Sequence, residues 1–395
     1  MKIGIYTGII PPPVFIENLV NGLAEKGDKV FVYGKPIVRN YQFLNSGIIQ
    51  RKIPITKVGI LLKSIYLFLM LFISQPYLCF TLGKQIWQNP KNWIQYFHRL
   101  CRIFPPFLDD LEIFHIQWAK MLVQYPEFIE NLKCPVILSL RGTQINVSPL
   151  ADKKLTFLYK QYFPRVNRFH AVSQSISKEA EKYGADINQI TVISPSVDDK
   201  YLNDKTYKVD GVFSDVLNIV SVGRCHWIKG YTFALDTMAI LKKEGVQFHY
   251  TIIAGGRDSE NIYYQIDDLG LNECVSFMNG LPHDEVMRKL SGSDLFLLPS
   301  LEEGISNAVM EAMALGVPVI STNCGGMGEV IKNGENGFLV PLRDPDSTAQ
   351  AIIDFIRLDE KSKITIVNNA RDTIIQSHLL SHQVARFKSL YSNII

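Results

Sequence analysis

No two of the six cysteines form a C-x-x-C pair. They stand singly at 79, 101, 134, 225, 274 and 324, a scatter that argues against a zinc module or a disulfide framework and makes a reducing compartment the simpler expectation. Charge of one sign is lacking as well. The 41 Lys and Arg against 38 Asp and Glu leave +3, so bulk electrostatics gives no argument for nucleic acid. MKIGIYTG at the N-terminus has no long apolar stretch before a small-residue cleavage site, and its alternation reads as a first strand rather than a signal peptide. The protein is expected to stay where it is made, in the cytoplasm. Short-period repeats and low-complexity tracts are missing, which disfavours solenoids and disordered scaffolds. No G-x-G-x-x-G follows a strand in the first unit, which weakens a nicotinamide dehydrogenase. No cluster of metal-ligand residue types stands out, and neither a metal nor a cofactor is expected.

Long apolar runs are scarce, with one exception. VGILLKSIYLFLMLFI, Val58–Ile73, contains the uninterrupted run Ile65–Ile73. A spanning helix needs about 20 predominantly apolar residues, whereas Lys63 and Ser64 interrupt this run and Gln75-Pro76 soon follow. Two readings stay open: a buried helix, or an interfacial helix whose neighbours Lys84, Lys91, Arg99 and Arg102 meet anionic lipid on the inner membrane face. Changing Leu67 and Phe68 to Ser is the test the run suggests.

What is present is an alternation of β-rich runs with helical patterns over 395 residues, enough for two domains. Such alternation marks parallel sheets covered by helices, an α/β fold. The first half predicts strands at KIGIYTG, KVFVYG, EIFHIQWA, PVILSLRG, FHAVSQ and ITVIS, with helices such as Phe15–Lys26 and Lys178–Tyr183 between them and helical insertions over 58–104. Asp198–Asp215 breaks the periodicity and is the linker candidate. The second half predicts LNIVSVG, FHYTIIAGG, VSFMNG, LFLLPS, VPVIST and GFLV, with helices starting near Gly230, Ser259, His283, Ser306 and Asp346. Two Rossmann-like, doubly wound domains facing across a cleft are expected, with ligands beyond the carboxyl ends of the strands.

At those strand ends, RCHWIKG (224–230) places Arg224 and Lys229 on one loop leading into a helix. Guanidinium, ammonium and free backbone N–H groups together suit a diphosphate, although as isolated residues they equally suit a solvated surface. LEEGISNAVMEAMAL (301–315) puts Glu303 in a turn and Glu311 one turn into the following helix, so both carboxylates can accept hydrogen bonds from the hydroxyls of one ligand. The bland alternative for Glu311 is an exposed helix former favoured by the dipole.

VGRCHWIKG, AGG, FMNGLP, LPSLEEGISNAVMEAMALGVPVISTNCGGMGEVI and NGFLVPLRDP, in this order over about 217–347, resemble the donor half of family 4 glycosyltransferases, retaining enzymes of GT-B fold. The resemblance implies that Arg224 and Lys229 bind the diphosphate of a nucleotide sugar, Glu303 contacts the transferred sugar and Glu311 the ribose. Gly304, Ile305, Ser306 and Asn307 would line the same pocket. It also implies metal-independent transfer of a hexose to a saccharide, and the apolar run Val58–Ile73 with its basic neighbours suggests a lipid-linked saccharide at the inner membrane face, as in cell-surface polysaccharide biosynthesis. The domains would be 1–205 for the acceptor, 206–375 for the donor, and a C-terminal helix, 376–395, crossing back. The first half matches more loosely. TGIIPPPVF leaves Gly8 as the glycine for close phosphate approach, and Arg141 stands where many relatives carry a His, suited to a phosphate or acceptor but not to the role of a neutral base. His115 is either a site residue or a structural histidine, and Trp118 after Gln117 offers a stacking face. A nucleotide-sugar isomerase of similar fold, or a catalytically silent binding protein, is the rival reading.

Overall fold

The computed structural model describes residues 1–88, 92–202, 216–256 and 259–394. Lys91 and most of the Asp198–Asp215 linker lie outside them. The chain divides into two compact units, Met1–Ile193 with Gln383–Ile395, and Ser194–His382.

Unit 1 is built on seven parallel strands: β1 (Lys2–Ile10), β2 (Lys29–Pro36), β3 (Ile48–Lys52), β4 (Ile113–Ile116), β5 (Val136–Leu140), β6 (Arg168–Ala171) and β7 (Ile190–Val192). They lie in the order β3-β2-β1-β4-β5-β6-β7. Parallel neighbours need crossovers, and the helix α1 (Val14–Glu25) makes the first. Strand β3 was not predicted: IIQRK is short, carries two cations and occupies the sheet edge, so the apolar signal of a buried strand is weak. The helix expected at Lys178–Tyr183 is Gln174–Glu181, started by Ser173, whose hydroxyl accepts the Ile176 N–H at 3.1 Å.

Three helices fill the expected insertion: α2 (Lys57–Ser74), α3 (Pro76–Trp87) and α4 (Trp93–Ile103). Helix α2 buries Ile60, Ser64, Leu67 and Leu71, one stripe at helical spacing. Leu67 is 5% exposed, and the Phe68 ring stacks on Phe104 at 6.5 Å. Both are packing residues, so changing them to Ser damages the core rather than testing a surface.

Unit 2 holds six parallel strands: β8 (Leu217–Arg224), β9 (Phe248–Gly255), β10 (Val275–Asn279), β11 (Leu295–Leu298), β12 (Val319–Thr322) and β13 (Phe338–Val340). Their order is β10-β9-β8-β11-β12-β13. The sheet is covered on both faces, one core holding Ile219, Leu235 and Tyr250, the other Phe296, Met310 and Met313. Strand order reverses between β8 and β11, the switch point at which open α/β sheets bind ligands beyond the carboxyl ends.

Candidate functional site

The loops leaving β8 and β11 meet at this switch point. Arg224 is the exposed last residue of β8, and Lys229 closes a single 3-10 turn, Trp227–Lys229. Gly230 follows with φ 64° and leads into the helix Tyr231–Lys243. A Cβ at Gly230 would lie 2.0 Å from the carbonyl oxygen of Pro299, so only glycine allows the two loops to approach this closely. The Leu301 N–H donates to the Ile228 carbonyl at 2.7 Å and ties them together. Gly223 has a related purpose. A Cβ there would stand 2.9 Å from Lys229 Cε, so the bare backbone lets the lysine stem lie flat across the strand end.

Lys229 Nζ donates to Glu303 Oε1 at 2.5 Å, and the Ser300 hydroxyl donates to the same oxygen at 2.9 Å. Both charged side chains are mostly buried, at 14% and 15% exposure. The sequence expectation gave these residues to different parts of one donor, and the fold brings them into contact across 74 positions. Behind them, Gly325 at φ 53° places its Cα so that a Cβ would overlap the Glu303 carbonyl, and the Gly326 N–H donates to the Gly304 carbonyl at 2.9 Å. The NCGGMG turn thus clamps the EEGIS turn through backbone alone.

The helix Asn307–Ala314 begins where the sequence suggested, and two of the residues assigned to its pocket are buried. Ile305 packs in the apolar core with Val309 and Met310. Ser306 is 4% exposed, and its backbone N–H donates to Met327 Sδ at 3.4 Å. Both contacts anchor the turn. Gly304 is buried, and Asn307 keeps part of its surface.

Glu311 lies one turn inside this helix, its Oε1 4.0 Å from His283 Nε2. Burial pushes the Glu311 pKa up to about 7 and draws that of His283 down. The Tyr201 ring stands edge-on to His283 at 5.8 Å, and its hydroxyl donates to Asp284 at 3.3 Å. Sequence reasoning missed His283, Tyr201 and Ser300. Pro282-His283 at a helix start after β10 was the available signal for the first, whereas Tyr201 is remote in sequence. Among the described residues no group of three or more His, Cys, Asp or Glu could hold a metal ion.

Unit 1 holds three further candidates. Gly8 lies inside β1 at a register shift against β2, not in a loop, and Met121 Cε would be 2.7 Å from a Cβ there. Its φ of 79° makes the bulge, and Met121 covers it. His115 is fully buried, with Nδ1 2.8 Å from the Tyr391 hydroxyl and Nε2 2.8 Å from Ser139 Oγ. Ser139 continues to His170, which donates to the Ile193 carbonyl at 2.9 Å. Burial lowers both histidine pKa values, that of His170 to about 3, so the network holds neutral rings. Burial and two satisfied ring nitrogens support the structural alternative for His115.

Arg141 follows β5, and its Nη2 donates to Gln117 Oε1 at 3.0 Å. The guanidinium lies over the Phe15 ring at 4.8 Å and the Trp118 ring at 6.0 Å. Among the described residues, Arg141 Nε and Gln117 Nε2 are buried donors without a partner. Burial lowers the Arg141 pKa to about 10, which still leaves it charged at neutral pH.

Residues 204–373 match the family described as Glycosyl transferases group 1. The chain is 30% identical over 293 residues to the amylovoran biosynthesis glycosyltransferase AmsK of Erwinia amylovora, covering 71% of this chain and 70% of that protein. It is 32% identical over 289 residues to WcaL of Escherichia coli (strain K12), named as a colanic acid biosynthesis glycosyltransferase, covering 72% and 70%. Among solved structures, sucrose-phosphate synthase from Thermosynechococcus elongatus superimposes with a TM-score of 0.75 at 16% identity, over 100% of this chain and 99% of that one. Anabaena HepE in complex with UDP and glucose gives 0.71 at 17%, over 100% of both. Two parallel-sheet α/β units, the matched segment and relatives of this identity and coverage lead to one conclusion: the chain belongs to the glycosyl transferases group 1 family and is a glycosyltransferase of GT-B fold.

Proposed function

We propose that the protein transfers a hexose, with retention and without a metal, from a nucleotide-diphosphate sugar to a saccharide or lipid-linked saccharide. The observation that carries this reading is the Lys229–Glu303 contact at the switch point of unit 2. A diphosphate arriving beside Arg224 competes for the Lys229 ammonium, and the exchange releases the Glu303 carboxylate to accept hydroxyls of the transferred sugar. Glu311, one turn further along, receives the ribose hydroxyls, with Asn307 and the Gly304 backbone beside it. The anomeric C–O bond to the diphosphate breaks while the acceptor oxygen bonds to the same carbon from the same face. The departing diphosphate, held by Arg224 and Lys229, is then the nearest base for the hydroxyl proton. Fixed cations aimed at developing charge supply the largest share of such a rate enhancement.

Arg141 and Gln117, with their unpartnered buried donors, are proposed to meet an anionic group of the acceptor. Cell-surface polysaccharide assembly at the inner membrane face fits AmsK and WcaL, both named for polysaccharide biosynthesis, and the UDP complex of HepE fits a nucleotide-sugar donor. Glycosyltransferase relatives favour transfer over isomerisation or silent binding.

UDP-, GDP- and ADP-sugars should be screened for thermal stabilisation, since a ligand of the folded state at a hundred times its Kd stabilises by about 2.7 kcal/mol. With the stabilising donor, Lys229→Ala should lower turnover at least about a hundredfold. Near-normal turnover in the folded variant overturns the assignment.

A further inference from the structure

The near-neutral chain conceals a strong separation of charge. Unit 1 carries 25 Lys and Arg against 12 Asp and Glu, and unit 2 carries 16 against 26. Within unit 1 the asymmetry concentrates further: from Lys29 to Leu108 there are eleven Lys and Arg and not one acidic residue. Arg51 and Arg99 of this segment pair with Asp109 and Glu127, which lie beyond it. Helices α2, α3 and α4 all fall inside the acid-free stretch.

Helix α2 presents a second apolar stripe opposite its buried one. Val58, Leu62, Ile65, Leu69 and Phe72 follow at steps of three and four along one helix face with Ile73 beside the last, and all six are between 40% and 78% exposed. The Phe80 ring of α3 stands edge-on to Phe72 at 5.5 Å and is itself 62% exposed, so the stripe continues from one helix to the next. Exposed Lys57 begins α2, and exposed Lys84 lies one turn after Phe80. A continuous apolar surface of this kind, with cations at its edges, marks an interaction site rather than scattered surface leucines.

Helix α2 is long and apolar enough to cross a membrane by length and composition. Crossing would remove Ile60, Leu67 and Leu71 from the core of unit 1, where all three are buried. A helix with one stripe in the protein core and the other exposed lies in the interface plane instead. A second copy of the chain is a poor occupant, because a two-fold contact would set the acid-free segment against itself. Negatively charged lipid headgroups complement it, and acyl chains take the apolar stripe.

We propose that the outer face of α2 and α3 docks unit 1 on an anionic bilayer, with α2 in the headgroup plane and Lys57 and Lys84 against lipid phosphates. This specifies the membrane reading given above, and the donor chemistry of unit 2 does not depend on it. The test is co-sedimentation of the full chain with phosphatidylglycerol-containing vesicles and with pure phosphatidylcholine vesicles. Binding to the anionic vesicles is expected, weakened by salt and reduced at least about tenfold both by Leu62→Ser with Leu69→Ser and by Lys57→Glu with Lys84→Glu. These side chains are exposed, so both variants should unfold at the same temperature as the parent and keep the same stabilisation by the donor sugar. If the apolar variant unfolds, the charge variant and the salt dependence decide. Equal binding to neutral vesicles, no binding to either, or a dimer abolished by the same substitutions overturns the proposal. Loss of donor stabilisation in the parent chain would instead count against the transfer reading alone.

Discussion

Glu311 shows how much one side chain owes to its surroundings. Its carboxyl, ordinarily ionised well below neutrality, is held up to about 7 by burial. The sign follows: a carboxyl whose folded pKa is raised contributes stability below its unfolded pKa, and this is lost as pH rises through 7. Glu311→Gln should therefore raise the melting temperature at pH 8 relative to the parent and leave it nearly unchanged at pH 4. If the ionised form accepts ribose hydroxyls, parent affinity for the donor sugar should fall by up to about tenfold per pH unit below 7, and the variant should show a flat profile. Thermal melts at pH 4 and pH 8 check the first expectation and calorimetric titration between pH 5.5 and 8 the second; parallel parent and variant binding profiles would remove Glu311 from the nucleotide site. The position of Glu311 in the helix was legible from four-residue spacing, but its shifted pKa was not, because burial depends on what packs around it. His115 is a sharper case. Nothing near it in sequence announces Tyr391, 276 positions away, which satisfies one of its ring nitrogens.

At the scale of elements, the two loops of the site act as one piece because glycines let their backbones touch. Gly230→Ala would force a side chain into a left-handed backbone and against the Pro299 carbonyl. Strain of the first kind alone costs about 1–2 kcal/mol, and the clash adds to it. The variant should melt several degrees lower, and stabilisation by the donor sugar should disappear as Lys229 shifts; a parent-like response would show that the loop contact is dispensable. The strands of unit 2 could be anticipated from runs punctuated by glycine, and so could the placement of Arg224, Lys229 and Glu303 after strand ends, whereas the sheet order and the Lys229–Glu303 contact were not legible. Strand β3 was hidden by its polar, edge-strand composition, and Gly8 looked like a loop residue because a bulge within β1 uses the same positive φ. Helix α2 could not be decided from pattern, since it is apolar on both faces and only the packing of Ile60, Ser64, Leu67 and Leu71 shows which face is spent.

For the whole molecule, unit 1 is discontinuous in sequence and unit 2 is not. The returning segment buries Phe387 and Tyr391 in unit 1, and Lys388 reaches Asp28 at 3.1 Å. A fragment ending at residue 193 loses these contacts and leaves His115 without the Tyr391 hydroxyl. Residues 194–382 made alone should unfold cooperatively, whereas 1–193 should do so only when a peptide of 383–395 is supplied. Circular dichroism of the two fragments checks this, and a cooperative transition in 1–193 alone would contradict it. The sequence pattern suggested boundaries at 206 and 376. The structural divisions fall at 194 and 383, because Val197 pairs with Leu379 and belongs with unit 2.

That pairing has a consequence for how such a protein can change over generations. The Val197 N–H donates to the His378 carbonyl and the Leu380 N–H to the Val197 carbonyl, both at 2.9 Å, so unit 2 leaves and re-enters the rest of the chain at neighbouring points. Neighbouring ends are what a transplantable cassette requires. Recombination at these two seams would exchange residues 194–382 as a single block, and the recipient would inherit whatever specificity that block carries while keeping its basic first unit intact.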